Sequence, residues 1–342
     1  MSTTVSFPGL GIGEFSFDRI AFSIFGKPVY WYGVIIMLGI VAAFIHASIR
    51  CKQESVSSDD ILDVGIFTVF FGVIGARLYY VLTTLDEYRY DSFIDVIAVW
   101  EGGLAIYGGI IAGGTAVILT CLYKKINPFK VADTVGPGVG LAQAIGRWGN
   151  FMNGEAYGRE VAEESILYRF RMGLISDYTG AEMKYYHPTF LYESLWNILG
   201  FVLITLLYRK KKFNGQVALM YLGWYGFGRM FIEGLRTDSL YVGRFRISQV
   251  VGLVCFVVSA VLLIVGLAFA RKGKLASMLQ VTWASPAVTS AKAEDASAET
   301  ASGDTASGDT ASVDAASGET DTSETDTSET DTSFDRDRNP KS

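Results

Sequence analysis

Histidine and cysteine are scarce in this 342-residue chain, which holds two of the first and three of the second. Cys51, Cys121 and Cys255 lie within or beside apolar stretches and show no paired spacing, so they suggest neither a disulfide framework nor a zinc site. They read as apolar fillers, and no metal is expected. The first residues lack a charged region leading into a short apolar stretch and a small-residue cleavage site, so no removable signal peptide is expected. Internal repeats of the kind that mark many transporters are missing as well. So are the alternating and heptad hydrophobic spacings of soluble folds.

What the chain has instead is long apolar blocks. Half of its residues are apolar, and the mean hydropathy is +0.30. A helix needs about 20 such residues to cross a bilayer. Seven stretches meet that length: 29–49, 61–82, 102–123, 131–150, 188–208, 216–235 and 247–270. The expected fold is all-α, a polytopic membrane protein with about seven transmembrane helices.

Charge is divided unevenly. Residues 291–342 carry 14 acidic and 4 basic side chains, whereas the rest carries 21 and 25. The acidic end repeats TASGDTASGD and ETDTSETDTS with almost no large apolar side chain, a composition that cannot offset the entropy of ordering. The organisation expected is a short N-terminal outer segment over 1–28, a transmembrane domain over 29–272 with an outer cap at about 154–186, and a disordered acidic cytoplasmic tail over 273–342.

Basic residues cluster after the first, third, fifth and seventh stretches: Arg50 and Lys52; Lys124, Lys125 and Lys130; Arg209 to Lys212; Arg271, Lys272 and Lys274. By the positive-inside rule these loops are cytoplasmic, with the N-terminus outside and the C-terminus inside. Arg236, Arg244 and Arg246 break the pattern, through either a local error in the topology or a task of their own.

Several charges fall inside the apolar runs: Arg77, Asp133, Arg147, Arg229 and Glu233. A charge in a bilayer costs at least about 2.5–3.5 kcal/mol, so each must be paired, face water or hold an ion. With the orientation above, Arg77, Arg147, Glu155, Arg229 and Glu233 fall toward the outer ends of their helices and can converge on one outer-leaflet pocket. Arg229 and Glu233 are four residues apart and share a helix face. Structural readings stand beside this: an ion pair for Arg229 and Glu233, and snorkelling helix-end arginines for Arg147 and Arg77. Against them stands the excess of three arginines over few nearby carboxylates, which an anion such as a lipid phosphate would satisfy through the guanidinium fork. Gly113 and Gly114 read as packing residues, and Gly102, Gly103, Gly108 and Gly109 as a cleft around Tyr107. His46 reads as a helix-end residue, and His187 as a cap or a base.

The segment GRWGNFMNGEAYGR, from Gly146 to Arg159, resembles the signature GRxGNFxNxExxG of the bacterial prolipoprotein diacylglyceryl transferase family. WYG at Trp31, Tyr32 and Gly33, GARLYYV, WEGGLAIYGG, AD with Asp133, HPTFLYES and GRMFIEGLR resemble further family segments in the same order, from about Tyr30 to Ala270.

That resemblance implies transfer of the sn-1,2-diacylglyceryl group of phosphatidylglycerol to the lipobox cysteine thiol of a prolipoprotein signal peptide. A thioether forms and glycerol 1-phosphate leaves. The implied partners are these two substrates and membrane lipids, without nucleic acid and without a cofactor, in the bacterial plasma membrane with the active site toward the outer leaflet. It assigns catalytic roles to Arg147, Arg229, Tyr107 and Glu233, and phosphatidylglycerol binding to Arg147, Asn150, Glu155, Gly158, Tyr32 and Arg77.

Two positions depart from the family pattern. Tyr107 stands where many members have histidine, and its unperturbed pKa of about 10 makes it a weaker resting base than imidazole at about 6.5. Phe190 stands where glutamine is commoner. The base stays open among Tyr107, His187 and Glu155. A membrane lipid or anion transporter using the same arginines is the alternative from another class. It would spread polar residues through both leaflets, whereas here they gather at one end.

Overall fold

A computed structural model describes residues 2–282 apart from Glu87 and Leu240. In chain order the strands and helices are β1 (Ser2–Phe7), β2 (Ile12–Asp18), β3 (Ile20–Ile24), β4 (Lys27–Tyr30), α1 (Trp31–Cys51), α2 (Ser58–Thr83), α3 (Phe93–Ile97), α4 (Ile106–Tyr123) and α5 (Pro128–Asn153). There follow β5 (Met172–Ser176), β6 (Gly180–Tyr186), α6 (Thr189–Leu207), α7 (Gln216–Ile232), β7 (Tyr241–Val242), β8 (Phe245–Arg246) and α8 (Ile247–Arg271). Each of the seven apolar stretches is therefore built around a helix.

Local chemistry sets the helix ends. The Ser57 hydroxyl accepts from Asp59 N at the start of α2, with Asp59 and Asp60 in the first turn. Asn127 caps α5, and Pro128 occupies the first helical position, where a missing N–H costs nothing. Ser92 and Asp95 form a reciprocal capping box on α3.

Among the described residues, five helices are long and apolar enough to cross a membrane: α1, α2, α4, α6 and α8. Their flanks are correspondingly bare, as with Met37, Phe70, Leu206 and Ile264. Polarity keeps α5 and α7 out of that set. These two carry Arg147 and Arg229. α5 packs against α1, α4, α6 and α7, and α7 against α5, α6 and α8. The approach of α1 to α5 is close because it is backbone on backbone: a Cβ on Gly138 would stand 2.9 Å from the Ala43 carbonyl oxygen.

The all-α expectation is corrected by the strands. The N-terminal segment and the supposed cap over 154–186 form one four-stranded sheet, ordered β2-β1-β5-β6 and antiparallel throughout. Val5 pairs with Phe15 on one side and Leu174 on the other, and packs with Met172, Leu174, Tyr186 and Phe190 beside Phe151. The sheet thus closes over the C-terminal end of α5 and the start of α6. β3 and β4 make a separate hairpin whose tip, Phe25 and Gly26, has positive φ at both residues and so turns with the strand twist. Each strand is at most seven residues long, too short for its alternation to stand out beside 20-residue apolar runs.

The opposite end of the bundle is closed by Ala47, Cys51, Val56, Ile61, Val64, Cys121 and Val131. Residues 273–282, expected as the start of a disordered tail, are folded back here. Asn214 Nδ2 donates to the carbonyls of Met278 and Gln280, and Lys130 Nζ reaches Thr282. The rest of the expected tail, 283–342, lies outside the described residues.

Candidate active site

α5 ends where Gly154 takes the left-handed conformation, its N–H reaching the carbonyls of Asn150 and Phe151. That stop places Arg147 and Asn150 in the last two turns and folds Glu155 back against them. Glu155 Oε1 accepts from Asn150 Nδ2 at 2.9 Å and Asn153 Nδ2 at 3.2 Å, and Asn150 Oδ1 accepts from Arg147 Nη1 at 3.1 Å. Local spacing accounts for this half of the site, since every partner lies within eight residues.

The other half is assembled across helices. Glu193, in the second turn of α6 and 4% exposed, bridges two arginines: its Oε2 is 2.5 Å from Arg147 Nε and its Oε1 is 2.6 Å from Arg229 Nη1. Arg229 Nη2 meets Glu233 at 2.6 Å, the pair foreseen from the four-residue spacing. Arg236 stands alongside, 3.6 Å from Glu193, and holds Asp238 with two hydrogen bonds of 2.9 and 2.7 Å. Three arginines and three carboxylates therefore balance. The expected arginine excess is corrected by Glu193, whose partners lie 46 and 36 positions away.

The same contacts explain two of the three arginines that broke the charge pattern. Arg236 belongs to the network, and Arg246 donates through Nη1 to the carbonyls of Glu233 and Arg236. Burial works against the Arg236 charge, but its bonds to Asp238 and the surrounding carboxylates raise its pKa above the ordinary value. Asp238 is the converse: burial pushes its carboxyl up, and Arg236 more than reverses this and holds it below the usual range.

Beside this network lies a polar hollow of about 440 Å³, with Asn150, Glu155, Tyr157, Tyr178, Arg236 and Asp238 in its wall. Larger hollows of about 740 and 640 Å³ are mostly apolar and touch none of the network residues.

The remaining expected residues are placed apart or serve the frame. Arg77 is not drawn into the cluster: its guanidinium donates to the carbonyls of Asp95, Val96, Gly102 and Gly103. Gly102 and Gly103 have φ of 91° and 66°, and this turn presents both carbonyls to Arg77. They form a cage for a guanidinium where a substrate cleft was expected, and Gly108 packs against Gly75 of α2. Tyr107, half-buried in the first turn of α4, makes no hydrogen bond among the described residues. Tyr32 begins α1 beside Gly149.

Gly158 lies against His187, where a Cβ would come within 2.7 Å of the histidine Cβ, and its backbone bridges to Arg236. His187 is 8% exposed, with Nδ1 3.4 Å from the Tyr192 hydroxyl, and its backbone joins Gly158 and Arg159. Burial lowers the pKa of its imidazole.

Glu193, Arg236 and Asp238 are the network residues that sequence reasoning did not assign. A carboxylate inside the fifth apolar stretch was a signal available for the first, and the arginines misplaced by the charge rule for the second.

Fold and site together define a multi-pass α-helical membrane protein with a partly buried, balanced arginine–carboxylate network at the sheet-covered end. Residues 19–265 match the prolipoprotein diacylglyceryl transferase family. The chain is similar to the phosphatidylglycerol–prolipoprotein diacylglyceryl transferase of Streptococcus uberis, with 43% identity over 249 residues, 72% of this chain and 94% of the relative. The enzymes of that name from Enterococcus faecalis (44% over 251 residues, 72% and 90%) and Listeria innocua (41% over 255 residues, 75% and 92%) are similar too. This chain belongs to the prolipoprotein diacylglyceryl transferase family.

Proposed function

We propose that the chain transfers the diacylglyceryl group of phosphatidylglycerol to the lipobox cysteine of a prolipoprotein, with all seven long helices spanning the bacterial plasma membrane. The N-terminus and the sheet lie outside and the network serves the outer leaflet. The observation that carries the reading is the convergence of Arg147 and Arg229, from two different helices, on the two oxygens of one carboxylate. A seat that holds two oxygens between two guanidinium groups suits a phosphate diester equally well.

In the proposed step the cysteine sulfur attacks the glyceryl carbon bonded to the phosphate oxygen. The carbon–oxygen bond breaks with its electron pair on that oxygen, a carbon–sulfur bond forms, and glycerol 1-phosphate departs. The step balances with the two substrates alone. Charge grows on the departing oxygen, so donors fixed beside it lower the barrier, an effect worth about 3–4 kcal/mol per donor in comparable sites.

Of the three candidates to take the thiol proton, Glu155 alone is joined by hydrogen bonds to Arg147, through Asn150. We place the proton there. The polar hollow beside it, with Asn150, Glu155 and Arg236 in its wall, suits the glycerol headgroup.

The test is transfer of labelled diacylglyceryl from phosphatidylglycerol vesicles to a lipobox peptide by the purified protein. Activity in the unchanged chain, lost in Arg147→Ala, supports the reading. Folded protein with intact lipid and no transfer overturns it.

A further inference from the structure

α5 and α7 run side by side in the same direction, and three pairings spread along them share one offset. Near the start of both helices, Asp133 Oδ2 accepts from Gly215 N, 82 residues away, and Oδ1 accepts from Ala218 N, each at 2.9 Å. Three residues on, a Cβ on Gly136 would stand 3.5 Å from Ala218 Cα, and the Tyr221 hydroxyl donates to Gln143 at 3.0 Å. At the far end Arg147 and Arg229 share Glu193. The pairs 133 with 215, 136 with 218, and 147 with 229 all have the same offset.

The first N–H groups of a helix have no partner within it. Asp133 supplies one from a neighbouring helix, and its negative charge suits that end of the α7 dipole. The carboxylate is itself fixed, because Lys211 Nζ lies 2.9 Å from its Oδ2 and 2.7 Å from Glu54 Oε1, all three side chains being closed to solvent. Sliding α7 by one residue would break both backbone bonds and carry Arg229 about 1.5 Å along the axis.

We propose that Asp133 is a positioning residue for the transfer. It sets the register of α7 on α5, and through 14 residues of each helix it aligns Arg229 with Arg147 on one phosphate. It touches no substrate, and the role rests on the transferase reading above. A misplacement of about 1 Å can cost on the order of 100-fold in rate.

The full chain is assayed as Asp133→Asn, as Gly136→Cys with Ala218→Cys, and as the triple variant, with kcat and KM for phosphatidylglycerol measured separately and thermal unfolding followed on the same samples. Asp133→Asn is expected to lower kcat per folded molecule about 10- to 100-fold and to change KM less than about threefold. The paired cysteines are expected to cross-link under mild oxidation, because the positions abut. Oxidation of the triple variant should restore kcat to within about threefold of the oxidised double variant, and reduction should abolish the gain.

A residue that merely glues the bundle together would change the unfolding midpoint and the folded fraction while leaving kcat per folded molecule unchanged. The proposal is overturned by that result, by failure of the cross-link to form with Asp133 present, by a cross-link that silences the double variant, or by an oxidised triple variant that stays impaired. Absence of transfer by the unchanged chain would overturn the transferase reading instead, and cross-linking would still report the register.

Discussion

Arg147 Nε and Glu193 Oε2 lie 2.5 Å apart, joining the last turns of α5 to the second turn of α6, and the other oxygen of the same carboxylate takes Arg229. In the proposed step a phosphate would compete with Glu193 for the two guanidinium groups. That carboxylate neutralises the arginines and aims them.

Glu193→Gln keeps the shape and removes the charge. The site then attracts an anionic headgroup more strongly but aims it less well, so KM for phosphatidylglycerol should fall severalfold while kcat drops on the order of 10- to 100-fold. Separate determination of kcat and KM checks this. Parameters both within twofold of the parent would remove Glu193 from the mechanism.

Arg147→Lys retains a positive charge and loses the planar fork that reaches Glu193 and Asn150 together. The expected loss is about 100-fold in kcat with folding intact. Near-parental turnover in a vesicle assay would mean that a point charge suffices and that the paired seat is not what stabilises the departing phosphate.

Arg77→Ala separates a frame arginine from a site arginine. Four carbonyls lose a charged donor, which predicts a stability loss of about 3 kcal/mol and a lower unfolding midpoint. Turnover per folded molecule should stay within about threefold of the parent. An unchanged midpoint with abolished turnover would return Arg77 to the site.

His187 makes stability depend on pH. Burial lowers its folded pKa below the unfolded value of about 6.5, so between those values the unfolded chain binds more protons. Its contribution is therefore full above about pH 7.5 and is lost as pH falls through 6.5 toward the folded pKa. His187→Asn should lessen the fall of the unfolding midpoint between about pH 8 and 5. An identical slope in both proteins would show that His187 titrates alike folded and unfolded.

Legibility from sequence followed distance along the chain. Arg147, Asn150 and Glu155 sit within nine residues of helix and cap, and Arg229 and Glu233 within one turn, so spacing alone brings each set together. The cage around Arg77 was not legible, because four carbonyls leave no mark on residue identity. Nor was the sheet, in which Val5 pairs with Leu174 from 169 positions away, across the chain that forms α1 to α5. Phe190, noted only as a departure from glutamine, proves to be core beneath that sheet, packed on Phe151 and Trp148.

By itself the sequence determined where helices form and which charges lie inside apolar runs, because apolar length, capping residues and helical spacing act locally. Only the tertiary structure decided which carboxylate answers which arginine. That pairing brings side chains 46 and 36 positions apart onto one carboxylate from three different helices, which no local spacing encodes.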